Sequence, residues 1–216
     1  MSQPRTRKID CPQCHVEHDF ATWESLNVTL DPAKKEELLS GELTQFACPA
    51  CAWRGDVFYP LLYHDMERRL MIWFWPGAGE PDTKSLPLQM MKEYQFRIVA
   101  SRNELKEKVW LFDAGFDDRV VEAFKLTLLE RSGAAGHPLE GNIFFVGLFG
   151  SDDGTERLRF EHVLKTGSEA VELPLSSYTE MADLIADVLP PDESEQGKWL
   201  RVDKEYARAL MQKIQP

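Results

Sequence analysis

All four cysteines of this 216-residue chain fall into two short stretches, IDCPQCHVEH and CPAC, as the pairs Cys11/Cys14 and Cys48/Cys51. Two residues between cysteines let one tight turn aim both sulfurs at a single ion, and proline inside the pair stiffens that turn. A closed structural zinc site needs four thiolates at the corners of a tetrahedron and is commonly assembled from two such units. The repetition carries the argument: one C-x-x-C is common, whereas two C-P-x-C pairs with no cysteine left over point to one Zn²⁺ per chain on Cys11, Cys14, Cys48 and Cys51. Iron could occupy the same thiolates. A thioredoxin-like redox pair needs only one C-x-x-C beside a helix start, and inert core cysteines are not otherwise paired so regularly.

Two other patterns lie over the same residues. CPQCH matches the c-type haem attachment pattern, a chemistry that generally requires export, and it leaves Cys48 and Cys51 unexplained. His15-Val16-Glu17 followed by Cys48 and Cys51 imitates a zinc-deaminase signature, but Ala47 stands where proline would precede the cysteine, and Cys11 and Cys14 would be idle. His15 and His18 are expected at a surface or hairpin edge, with a hydrogen bond to a thiolate as the alternative. The Trp73-Phe74-Trp75 run reads as a strand buried on both faces rather than a ligand shelf. Asp117 and Asp118 read as a helix cap and a dipole-favoured anion rather than a hard-metal pair. No G-x-S-x-G, P-loop or G-x-G-x-x-G is present.

The elements that must position the cysteines follow from the pattern. Asp31, Pro32 and Gly41 are placed as cap, first residue and terminator of a short helix over about 32–40, an insert between the knuckles. Residues 56–77 read as two apolar strands joined by a turn at Asp65 to Arg68. The Gly- and Pro-rich residues 77–87 mark a loop, and 94–100 a strand. Two helices follow, the second capped by Asp117 or Asp118 and ended by Gly133. NIFFVGLFG and TERLRFEHVL form a hairpin, SYTEMADLIADVL is a helix opened by a Ser177–Glu180 capping box, and a last helix covers about 204–214.

Net charge is −11. Eight Lys and Arg stand against eleven Asp and Glu in residues 1–76, and seventeen against twenty-five in the remainder. An acidic body repels phosphate backbones and anionic lipid, so neither nonspecific nucleic-acid binding nor membrane binding is expected. The one basic cluster, Arg5 to Lys8, reads as a flexible tail over residues 1–8. With no leader-like apolar segment and no spanning run, the expected location is the cytoplasm, where thiols stay reduced.

The two C-P-x-C motifs, the insert DPAKKEELLSGEL, the segment PLLYHD and the stretch RIVASRNELKEKV…DDRVVEAFK together resemble the CpXC domain family, over about residues 9–135. The resemblance implies a metal-binding bacterial or archaeal domain. His15 and Ala52 replace the glycine that usually follows the second cysteine of each knuckle, which would weaken N–H to sulfur bonds while keeping the ligand set.

The expected architecture is α+β: a zinc-ribbon-like N-terminal lobe followed by antiparallel strands and several helices, with residues 136–216 a C-terminal extension of a hairpin and two helices. Four cysteines would close the metal's coordination sphere and leave no Lewis-acid position. The expected function is a zinc-scaffolded binding or regulatory protein with no catalytic residues, engaging a protein partner or small ligand; the alternative is an enzyme with its site away from the metal.

Overall fold

A computed structural model describes residues 2–79, 81, 93–134, 141–150, 154–192 and 198–214. The fold is α+β, and the chain divides into two compact units: residues 1–102 with 194–199, and residues 103–193 with 200–216. The division falls at the N-terminus of a helix, well before the expected boundary at 135/136, because the helix pair beginning there shares its core with the strands after residue 141.

In the first unit, β1 (Gln3–Asp10) and β2 (Glu17–Asn27) form an antiparallel hairpin whose turn is the first knuckle. The flexible tail expected over residues 1–8 is thus a correction: Gln3 to Lys8 pair with β2 as an edge strand, a position that tolerates Pro4. The Arg5 to Lys8 charges are also spent on β2. Arg5 lies 3.0 Å from Glu24, and Lys8 lies 3.4 and 3.1 Å from Glu17 and Asp19.

Helix α1 (Pro32–Ser40) has the expected bounds and ends at Gly41, whose φ of 93° is the left-handed conformation that glycine adopts without penalty. Asp31 sits at the N-cap position, but its carboxylate receives the Ser2 hydroxyl instead of capping the helix. A 3₁₀ turn (Glu42–Thr44) leads into β3 (Gln45–Ala47) and β4 (Arg54–Asp56), a second small hairpin with the second knuckle as its turn. Then β5 (Leu61–Asp65), β6 (Leu70–Phe74) and β7 (Gln95–Val99) complete a sheet of order β1-β2-β5-β6-β7. The β2–β5 and β6–β7 pairs are parallel, so this sheet is mixed rather than antiparallel throughout. Asp65 closes the β5–β6 turn by accepting from Arg68 N at 3.1 Å. Leu70, Met71, Ile72 and Phe74 are all buried, as a strand covered on both faces requires. Of the 77–87 loop, only 77–79 and 81 lie within the described residues.

The second unit holds α2 (Arg102–Asp113) from its second residue onward, α3 (Asp118–Ala134), and an antiparallel sheet of order β10-β9-β8: β8 (Asn142–Gly150), β9 (Glu156–Leu164) and β10 (Gly167–Pro174). It ends with α4 (Ser176–Ile185) and α5 (Lys204–Met211). Phe124, Phe145 and Phe160 pack at ring separations of 5.7 Å in a core with Leu111, Val121 and Ile185. Asp117 caps α3, accepting from Arg119 N at 2.9 Å, and the helix runs through Gly133 rather than stopping there. The capping box on Ser177 does not form. The N-cap position is Leu175 without a side-chain cap, and Ser177 lies inside the helix. Strand β10 turns the expected hairpin into a three-stranded sheet; its exposed, Glu-bearing pattern hid it from a search for apolar runs. Among the described residues no helix is long and apolar enough to cross a membrane.

Candidate metal centre

The two knuckles repeat the same backbone hydrogen bonds. Cys11 N donates to Val16 O at 3.1 Å and His15 N to Cys11 O at 2.9 Å; Cys48 N donates to Trp53 O at 2.8 Å and Ala52 N to Cys48 O at 2.9 Å. Each loop therefore closes a turn with two cysteine side chains on one side. The residue after the second cysteine must then reverse the chain in the left-handed region, and His15 (φ 58°) and Ala52 (φ 62°) do so. These are the two positions where glycine was expected, and the structure shows why: a Cβ there costs roughly 1–2 kcal/mol.

Aromatic packing brings the hairpins together. Phe46, buried on β3 two residues before Cys48, meets Phe20 of β2 edge-on at 6.0 Å, His18 at 5.9 Å and Trp53 at 6.3 Å. The four sulfurs converge beside this cluster, every pair within 4.8 Å. Cys11 Sγ lies 3.6 Å from Cys51 Sγ and Cys14 Sγ lies 3.7 Å from Cys48 Sγ, so each knuckle approaches the other through both of its sulfurs. A tetrahedron with metal–sulfur bonds of about 2.3 Å has edges of about 3.8 Å. All four are free thiols, with Cys11 and Cys48 buried and Cys14 and Cys51 partly so.

Four thiols this close cannot ionise independently. Burial opposes ionisation of Cys11, yet backbone N–H groups of Cys14 and Gln13, with the Cys14 and Cys48 sulfurs, lower it to about 6. At Cys51 the Trp53 N–H favours the anion but is outweighed by burial and the other three sulfurs, which push it up to about 12. At Cys14 the Val16 N–H is likewise outweighed by burial and by the Cys11 and Cys48 sulfurs, and the thiol is raised. A central cation lets closely spaced thiols ionise together, and this donor set is suited to a metal.

The histidines divide. His15 is exposed on the outside of its turn. His18, expected at an edge, has its Nε2 3.3 Å from Cys48 Sγ. Its position three residues from a knuckle was visible in the sequence, but its contact with a cysteine thirty residues away was not. Asp117 and Asp118 do not form a hard-metal pair, since Asp117 takes Arg119 and Asp118 takes Lys108 at 2.9 Å inside the second unit. The deaminase and haem patterns use two cysteines each and do not account for a cluster of four.

The family model described as CpXC protein matches residues 9–125, more than half of the chain, from the end of β1 into the middle of α3. Neither the curated proteins nor the solved structures contain a match to the chain. With both C-P-x-C motifs inside the matched segment and their sulfurs gathered into one cluster, the chain belongs to the CpXC protein family.

Proposed function

We propose that Cys11, Cys14, Cys48 and Cys51 bind one Zn²⁺ as thiolates, and that the protein is a cytoplasmic, zinc-scaffolded binding or regulatory protein. The observation that carries this reading is the sulfur geometry: separations of 3.6 and 3.7 Å, close to the edge of a tetrahedral four-thiolate site. Four protein thiolates leave no position for water or substrate, so the metal supplies structure. It clamps the β1–β2 hairpin to the β3–β4 hairpin, two elements otherwise joined by a small aromatic cluster.

The net charge of −11 and the pairing of the β1 basic residues with β2 carboxylates support a protein or small-molecule partner rather than nucleic acid or anionic membrane. Metal analysis of the purified protein tests the centre. One zinc per chain is expected; an iron-loaded, two-metal or metal-free protein overturns it. Affinity capture from the native cell followed by reconstitution with the identified partner tests the rest.

One arrangement favours the alternative, an enzyme with its site away from the metal. A cavity of about 140 Å³ in the second unit is bordered by Glu104, Glu122, Lys125, Asn142, Asp203 and Lys204. Charged groups lining a cleft are a recurrent feature of active sites. Turnover of a small polar metabolite by the pure protein, abolished by filling the cavity with Asn142→Leu, would establish this reading.

A further inference from the structure

Each sulfur of a four-thiolate site carries excess charge, because four thiolates around a divalent cation leave a net dianion. N–H donors to sulfur spread that charge and fix the side-chain directions. Cys11, Cys14 and Cys51 receive such donors from the backbone of their own knuckles. Cys48 is approached by a side chain from the other hairpin: His18 Nε2, at 3.3 Å from Cys48 Sγ. The ring is held for that contact. His18 stands opposite Ile9 in the β1–β2 ladder, half-buried, with its face tilted against Phe46 at 5.9 Å.

We infer that His18 is a positioning residue of the metal centre, donating Nε2–H to the Cys48 thiolate and tying the first hairpin to a ligand of the second. The inference rests on the four-thiolate reading above. In this role the imidazole carries its proton on Nε2. Its contribution is to hold the Cys48 sulfur in place and lower that sulfur's electron density, which slows both metal loss and attack by electrophiles at this ligand. His18 thereby sets how tightly the centre keeps its ion without entering the ligand set.

The test uses the full chain loaded with zinc and, separately, with Co²⁺. His18→Phe keeps a ring against Phe46 and removes the donor; His18→Gln keeps an N–H near the same point. The expected result is one metal per chain in all three proteins, with zinc released to a chromophoric chelator about 10-fold faster from His18→Phe and near the wild-type rate from His18→Gln. The sulfur-to-cobalt charge-transfer band should move in His18→Phe alone, and iodoacetamide should modify Cys48 of that variant fastest. Release rates and cobalt spectra of His18→Phe identical to wild type, at full metal stoichiometry, overturn this inference and leave the four-thiolate centre standing. A wild-type chain that binds no metal overturns both.

Discussion

Glu107 and Lys125, eighteen residues apart on α2 and α3, meet inside the second unit with Lys125 Nζ 2.9 Å from both carboxylate oxygens. Lys125 also donates to Glu122 at 2.9 Å, and Glu107 accepts from the backbone N of Phe145 on β8 at 2.7 Å. Nearby, Lys108 joins Asp118 at 2.9 Å and donates to Val202 O at 2.8 Å. Burial pushes Glu107 upward despite its lysine partner, while Lys125, which burial alone would lower, is held up by Glu107 and Glu122.

Removing one end of this pair leaves the other charged and buried. Lys125→Met is expected to lower stability by about 3–5 kcal/mol, and Glu107→Gln with Lys125→Met by less than Lys125→Met alone. Urea unfolding of the metal-loaded proteins measures both. If the double variant loses as much as the sum of the single ones, the two residues do not act as a pair.

Cys11→Ser removes a completely buried sulfur of the proposed centre. Metal binding of this kind is worth about 10–16 kcal/mol in small domains, at or above a typical net stability of about 5–15 kcal/mol. The variant is expected to lose its metal and the fixed environment of Trp53, read by metal analysis and by near-ultraviolet circular dichroism. A wild-type melt and spectrum would show that the centre does not support the first unit.

Because Cys14 and Cys51 are thiols held above their ordinary range until a metal arrives, loading must expel protons. Calorimetric titration with zinc in buffers of different ionisation enthalpy should show proton release, and affinity should fall as pH falls. Heats independent of buffer would contradict this.

At Ala52 the left-handed backbone opposes any side chain. Ala52→Gly is expected to raise stability by about 0.5–1 kcal/mol, relief of strain exceeding the added freedom of the unfolded chain. Denaturant midpoints at constant metal occupancy check it; a lower midpoint would mean that the strain is already relieved by the turn.

His64 has Nδ1 3.5 Å from Asn27 Nδ2 and Nε2 3.2 Å from the Tyr94 hydroxyl. Burial lowers it from 6.5, with Asp65 opposing. An unfolded chain then takes up the proton first as pH falls, so the contribution of neutral His64 is complete above pH 6.5 and is lost as pH drops from there through its folded value. Unfolding free energies measured from about pH 7.5 to 5 should fall less steeply for His64→Gln than for wild type. Equal slopes would place His64 in a solvent-like setting.

The four-cysteine cluster was legible because it depends on local covalent spacing. C-P-x-C fixes two sulfurs within one turn, and two copies without a spare cysteine leave few other uses. Helix α1 and the β5–β6 hairpin were legible for a similar reason: Pro32, Gly41 and the Asp65 turn act within four residues of themselves. The rest depended on partners distant in the chain. Residues 3–8 read as a tail because their charges look solvated, and only the antiparallel pairing with β2 makes them a strand. The Ser177 capping box failed because the chain entered α4 earlier, at Leu175, from the edge strand β10. Asp118 looked like a surface anion at a helix start until α2 brought Lys108 to it. His18 looked like an edge residue until packing of Phe20 and Phe46 placed it beside Cys48. Local sequence determined which atoms can bind a metal; burial and long-range register decided what surrounds them, because desolvation and cross-strand contact exist only once distant segments have met.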